Sequence, residues 1–506
     1  MSQQLTRRAI LQASAIPAAL AQRGSSKPNI LFISSDQHSG PVTGANGHPV
    51  VKTPNLDKLA ARGVNFRNSY CGSPVCVPGR AAMMTGMFAS DVASYCNSTP
   101  FDGRVPTWGN RLRDAGYACW ATGKMDLWKG KDFGFREDGT SHGHSQGPDI
   151  TSLFRMPMAW RSSERKNADG SYHDRPSPDQ PKAEKAIRFL RDESRKGQPW
   201  CAYVGFTKPH PKFDAALKYK EMYPAARMPT PVIPEGYLEE RHAAFQLMAN
   251  FKNLQVPVPK DRVQRARSAY YGLITELDEL IGTVIAELER TGQLENTVIV
   301  YTSDHGEMLG EHGLWLKNVL LEGAARVPFV IAGPGIPKGK TIDSPVMHAD
   351  MVATMLELAG ARRTAELRGH SLLPMMNGRG GDHPGFVYAE SHSEGNATGS
   401  FLIRKGDWKY IYFAGDEPLL FHLKDDPGEL HNLARDKRHA AVLKELDGHL
   451  RSLVDPDKVT VAAFKKQDEV LRGIIKENSK QEFIDDMKGR LGSLQARMLA
   501  NKYYET

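Results

Sequence analysis

Four apolar runs of strand length, each ending in a polar cluster, constrain this 506-residue chain more than any other feature. Asn29-Ile30-Leu31-Phe32-Ile33-Ser34 ends in Ser35-Asp36-Gln37-His38, and Tyr117 to Thr122 ends in Gly123-Lys124-Met125-Asp126. Trp200 to Phe206 ends in Thr207-Lys208-Pro209-His210, and Thr297 to Thr302 ends in Ser303-Asp304-His305-Gly306-Glu307. Continuous apolar runs suit strands covered on both faces, the situation of a parallel sheet between helix layers. Helical patterns lie between them. Thr53 caps a helix that opens on Pro54 and carries Leu56, Leu59 and Ala60 on one face as far as Gly63. Trp108 to Ala115, Ala183 to Arg195 and Asp350 to Ala359 are shorter ones. The longest is Arg262 to Arg290, where Leu273, Leu277, Leu280, Ile281, Val284, Ile285 and Leu288 recur at helical spacing. The alternation predicts an α/β fold with a large, mostly parallel sheet flanked by helices. Ligands of such sheets bind at the carboxyl ends of the strands. The four polar clusters are therefore candidates for a single site.

The pattern changes after about residue 380. Phe386 to Ala389, Phe401 to Arg404, Trp408 to Phe413 and Leu419 to Leu423 read as short strands with turns between them, and from Ala440 onward the chain reads as charged helix. Residues 25–380 are thus expected to form the main α/β domain. Residues 381–506 are expected to form a smaller domain on an antiparallel sheet with a helical tail. The polar stretch from Lys129 to Pro181 reads as a long ordered insertion.

Composition narrows the class. The formal net charge of +8 mildly favours anionic substrates, but no nucleic-acid-binding motif accompanies it. No stretch beyond the N-terminus is long and apolar enough to span a bilayer. Five cysteines, at 71, 76, 96, 119 and 201, are too few for a disulfide framework, although a Cys71–Cys96 bridge is left open. Thr6-Arg7-Arg8-Ala9-Ile10-Leu11, followed by a weakly apolar run to Ala19-Leu20-Ala21, reads as a twin-arginine signal over residues 1–21. Export to the periplasm or beyond is the expectation.

One stretch outside the strand ends carries chemistry of its own: Cys76-Val77-Pro78-Gly79-Arg80-Ala81-Ala82-Met83-Met84-Thr85-Gly86. Pro78 suits a first helical position, and the residues after it are helix formers. Cys76 should then lie at a helix N-terminus, where free N–H groups attract anions, with Arg80 about one turn on.

This stretch resembles the first signature of the type I sulfatases of the alkaline phosphatase superfamily. Gly116-Tyr117 through Gly123-Lys124 is similar to their second signature. Asn29 to Asp36, Lys208-Pro209-His210, Ser303 to Glu307, Glu311-His312-Gly313, Lys317, and Phe421-His422-Leu423 with Asp426-Pro427-Gly428-Glu429 also fit that family. The resemblance implies that Cys76 is oxidised to formylglycine by a formylglycine-generating enzyme, and that the hydrated aldehyde attacks sulfur. It implies a divalent cation, usually Ca2+, held by Asp36, Asp304, His305 and the Cys76-derived group. Arg80, Lys124, Lys208 and Lys317 would neutralise sulfate oxygens, and His210 would give a proton to the leaving alcohol. Asp126 would contact the hydrate.

The sequence departs from the common pattern in three places. Gln37 follows Asp36 where many members have a second Asp, His305 follows Asp304 where many have Asn, and Asp126 stands where many have His. The nitrogen donor leaves Mg2+, Mn2+ and Zn2+ open. The combination is most similar to the arylsulfatase K-like and iduronate-2-sulfatase-like branches, which implies a sulfated carbohydrate substrate. Two other readings stand beside the sulfatase. One is a phosphodiesterase or phosphonate monoester hydrolase of the same superfamily, since Asp-Gln occurs there too. The other is an inactive polyanion-binding protein, against which the retained Cys76, Arg80 and lysines argue.

Overall fold

The computed structural model describes residues 27–141, 149–155, 169–194 and 197–505, so the signal reading of residues 1–21 lies outside the described residues. Strands β1 (Asn29–Asp36), β2 (Gly63–Phe66), β3 (Ala118–Lys124), β4 (Arg136–Ser141), β5 (Trp200–Pro209), β6 (Thr297–Ser303), β7 (Phe329–Ala332) and β8 (Lys340–Ile342) form one eight-stranded sheet. Their spatial order is β8-β2-β7-β6-β1-β5-β3-β4, and only β7 runs against the rest. The apolar runs at β1, β5, β6 and β3 occupy four adjacent positions in it. Their carboxyl ends therefore meet.

Side-chain alternation along β1 builds the layers. Leu31 and Ile33 point into a core formed with Leu277, Leu280, Ile281, Val284 and Leu288 of the long helix Lys260–Arg290. Ile30 and Phe32 point to the opposite face, against Met83, Trp108, Val352 and Met355. These belong to helices α1 (Cys76–Thr85), α2 (Trp108–Asp114) and α3 (His348–Leu358). Every residue of α1 is buried, so the signature stretch is a core helix.

The structure corrects two local readings. Arg136–Ser141 (REDGTS) lies inside the supposed insertion yet pairs with β3 as the edge strand of the main sheet. Its polar composition hid it, as an edge strand has one side free of a covering neighbour. Ala183 to Arg195 is helical from Gln180 to Arg188 and then widens into a π turn over Phe189–Glu193. The tail after Ala440 is helical, as expected. Leu471, Phe483, Met487 and Leu491 bury a separate small core with Ile150, Leu153 and Phe154.

The C-terminal sheet is antiparallel, as expected, in the sequential order β9 (Phe386–Ser391), β10 (Ser400–Lys405), β11 (Trp408–Phe413) and β12 (Leu419–His422). A buried ion cluster ties it to the short helix Glu322–Ala325 and to Tyr70 of a separate three-stranded sheet. Lys409 lies 2.9 Å from Glu322 and 2.7 Å from Glu429, and Arg404 reaches both Glu322 and the hydroxyl of Tyr70. All five cysteines are free buried thiols, so no Cys71–Cys96 bridge is formed.

Candidate active site

Cys76 is the first residue of α1, preceded by Val75 in extended conformation. Pro78 is thus the third helical residue and not the first. That position costs nothing, because the first four N–H groups of a helix have no partner within it. The N–H of Val77 donates to Asn97 Oδ1 (3.2 Å), and the N–H of Gly79 closes back on Val75 O (2.8 Å). These two groups are committed inside the protein, so the positive field around Cys76 comes mainly from side chains.

Four of the expected residues converge. One donor atom from each of Asp36, Cys76, Asp304 and His305 lies within 4.8 Å of the others, and all four residues are buried. Asp36 closes β1, and Asp304 and His305 follow the end of β6, its neighbour in the sheet. The Nδ1–H of His305 donates to Gly306 O (3.1 Å). Its Nε2 consequently faces Cys76 Sγ at 3.3 Å, Asp304 Oδ1 at 3.6 Å and Asp36 Oδ1 at 3.7 Å. Lone pairs opposed at that range repel unless a cation or a proton lies among them. A backbone-anchored imidazole beside two carboxylates is the donor set of a divalent cation site, and the residues fit that group.

The expected cations divide into two sets. Lys317 Nζ is 2.8 Å from Cys76 Sγ, and Lys124 Nζ donates to Asp36 Oδ2. Both line a cavity of about 280 Å³ together with Cys76, Gln37 and His210. Arg80 and Lys208 are not among its lining residues. The guanidinium of Arg80 is fully buried and serves Asp304 Oδ2 (2.9 Å), Lys124 O (2.8 Å), Tyr203 OH (2.8 Å) and Asp36 Oδ2 (3.4 Å). It holds the two metal-facing carboxylates in place from behind. Lys208 pairs with Glu276 of the long helix at 3.1 Å. Asp126 is buried between Lys124 (3.1 Å) and Arg80 (3.7 Å), an arrangement that fixes those cations. His210 donates its Nδ1–H to Pro211 O (2.7 Å), which leaves Nε2 as its only other proton site.

These contacts set the electrostatics. Burial and the Asp36 carboxylate push the Cys76 thiol up, but Lys124, Lys317 and His305 outweigh them and hold it well below the ordinary thiol range. Burial likewise raises Asp36, and Lys124, His210, Lys317 and Arg80 more than reverse it, so the carboxyl stays ionised. Burial would lower Lys124, yet Asp126 and Asp36 keep it well above its usual value. The result is a pocket that holds a low-pKa thiol beside two fixed ammonium groups.

Gln37 belongs to this site although it first reads as a missing carboxylate. Its Oε1 accepts from Lys317 Nζ at 2.9 Å, and it lines the same cavity. The residue has a left-handed φ of 71°, and Asp126 has one of 54°. Gln37 follows directly on β1 and Asp126 lies two residues after β3, where the chain turns sharply at the strand ends. Asn97, Phe251, Lys252 and Glu394 also line the cavity. No motif pointed to them: Phe251 ends the helix Ala243–Phe251, and the others come from connecting segments.

Comparison with known proteins decides the family. The family described as Sulfatase matches residues 28–361, and N-sulphoglucosamine sulphohydrolase, C-terminal, matches residues 310–456. The chain belongs to the sulfatase family. A choline-sulfatase of Rhizobium meliloti (strain 1021) is 36% identical over 445 residues, covering 81% of this chain and 83% of that protein. An arylsulfatase K of Danio rerio is 29% identical over 503 residues, covering 94% and 90%. Among solved structures, a phosphonate monoester hydrolase of Agrobacterium radiobacter superposes with a TM-score of 0.71 at 27% identity, covering 84% of this chain and 95% of that one. This sulfatase is a sulfuric ester hydrolase.

Proposed function

We propose that this sulfatase hydrolyses the sulfate ester of a small sulfated carbohydrate, with Cys76 as precursor of a formylglycine nucleophile and Ca2+ as the cation. The observation that carries the reading is the convergence of Asp36, Cys76, Asp304 and His305 beside Lys124, Lys317 and His210 in one cavity. The hydrated aldehyde supplies an oxygen nucleophile, and the cation polarises the sulfate. The chain's own residues do the rest. Lys124 and Lys317 hold the anionic sulfate oxygens. Arg80 and Asp126 keep Lys124 and the carboxylates in register. His210, in its doubly protonated form, gives the Nε2 proton to the leaving oxygen. The match of residues 310–456 to the C-terminal part of a sulphoglucosamine sulphohydrolase family supports a sugar.

Pro78 and Arg80 are buried in the folded chain. A formylglycine-generating enzyme that reads this stretch must therefore act before folding. Twin-arginine export carries folded proteins, so oxidation of Cys76, folding and export follow in that order. The motif at Arg7 and Arg8 supports this route.

A second reading has its own support: the 36% identity to a choline-sulfatase favours sulfated choline as substrate. A third rests on the phosphonate monoester hydrolase likeness and the Asp36-Gln37 pair. One panel separates them: sulfated mono- and disaccharides, choline sulfate, a phosphate diester and a phosphonate monoester, scored for released sulfate or phosphate. The proposal expects sulfate from a sugar ester as the fastest reaction. Fastest turnover of choline sulfate, or of the diester or phosphonate, overturns it.

A further inference from the structure

Glu307 does not line the Cys76 cavity, yet it is almost fully buried and hydrogen-bonded to two residues that do, Gln37 and Leu316. Its Oε2 accepts from Gln37 Nε2, and its Oε1 accepts from the N–H groups of Leu309 (3.0 Å) and Leu316 (2.6 Å). At the other end of the same amide, Gln37 Oε1 accepts from Lys317 Nζ at 2.9 Å. The amide is thus held from both sides. Turning it over would set its oxygen against the Glu307 carboxylate and its NH2 against the Lys317 ammonium, two repulsive contacts replacing two charge-assisted hydrogen bonds.

We propose that Glu307 is a positioning residue: it locks the Gln37 amide so that Oε1, a neutral oxygen donor, faces the cation cluster and anchors Lys317 beside Cys76. The proposal rests on the reading of Asp36, Cys76, Asp304 and His305 as a cation site. It gives the chain a physical replacement for the second carboxylate that Gln37 displaces. An unrestrained glutamine would offer its oxygen and its amine to the site in turn, and the amine opposes a cation. A buried carboxylate on one side removes that choice. Glu307 also lies on the segment that leads to Lys317, since Met308 N bonds to Leu316 O at 2.8 Å, so the amide and the lysine are set by one loop.

The test is Ca2+ titration calorimetry on the full-length purified protein, which needs no turnover. Glu307→Gln keeps an acceptor for Leu309 and Leu316 but no longer dictates the orientation of the Gln37 amide. It is expected to weaken Ca2+ binding about 10–100-fold, the usual effect of losing an outer-shell partner, with little change in melting temperature. Gln37→Met removes the amide. If Glu307 acts through Gln37, the double variant Gln37→Met/Glu307→Gln binds Ca2+ no more weakly than Gln37→Met alone. Unchanged Ca2+ affinity in Glu307→Gln, or losses that add in the double variant, overturns the role of Glu307 while leaving the cation site standing. No Ca2+ binding by the unaltered protein overturns the cation site, and this proposal with it.

Discussion

The ammonium group of Lys317 lies 2.8 Å from Sγ of Cys76 and 2.9 Å from Oε1 of Gln37. It places a fixed positive charge directly beside Cys76. Lys317→Met should lower kcat by about 10²–10³-fold, the cost of one preorganised oxyanion partner. Steady-state kinetics on the best sulfate ester checks this; KM should change much less than kcat.

Gly79 sits where no side chain fits. A Cβ there would meet Ser73 O at 2.6 Å and Asp304 O at 3.0 Å, both of them backbone atoms. Gly79→Ala must therefore push the first turn of α1 away from the end of β6, and with it Cys76 from Asp304. The chain should still fold, but activity should fall by about 100-fold, as misplacement by about 1 Å does. Circular dichroism alongside turnover separates this effect from unfolding.

Lys409 tests the buried ion cluster beside the C-terminal sheet. It has no exposed surface and neutralises Glu322 and Glu429 together. Lys409→Met leaves those carboxylates buried without it and should cost about 3 kcal/mol in denaturant unfolding. Glu429→Gln in the same chain should recover part of that loss, because burial already pushes the Glu429 carboxyl up and Lys409 is what opposes it.

Acid stability should depend on buried neutral histidines. Burial pushes His312 down to about 4 and His348 down to about 3 from an ordinary value of 6.5. Below 6.5 the unfolded chain takes up these protons and the folded chain does not. Their contribution is complete above that pH, shrinks as pH falls toward 4 and then 3, and at full size amounts to roughly 3 kcal/mol for His312 and roughly 5 kcal/mol for His348. Urea midpoints at neutral pH and near pH 4.5 measure it. His312→Asn should show a shallower decline than the unaltered protein.

Much of this was legible in the residues. The apolar runs at β1, β3, β5 and β6 named four adjacent strands, and their ends brought Asp36, Lys124, His210 and Asp304 into one region. Spacing could not say which way side chains face. Arg80 and Lys208 look equivalent to Lys124 and Lys317 in sequence, yet one braces carboxylates from behind and the other pairs with Glu276. Gln37 read as a lost ligand, because the orientation of an amide is set by Glu307 and Lys317, residues about 270 and 280 positions away. The edge strand Arg136–Ser141 escaped for the opposite reason, having no apolar run to betray it.

The measurement closest to the central claim is sulfate release by the unaltered protein and by Cys76→Ala, both produced with a formylglycine-generating enzyme, with a mass determination of the peptide that carries residue 76. Cys76 packs at the first turn of a buried helix with a small side chain, so alanine should leave the fold intact. The account predicts an aldehyde at position 76 in the active protein, no sulfate release by Cys76→Ala, and none by Cys76→Ser unless the host oxidises serine. Sulfate release by a folded Cys76→Ala variant at the rate of the unaltered protein would contradict it.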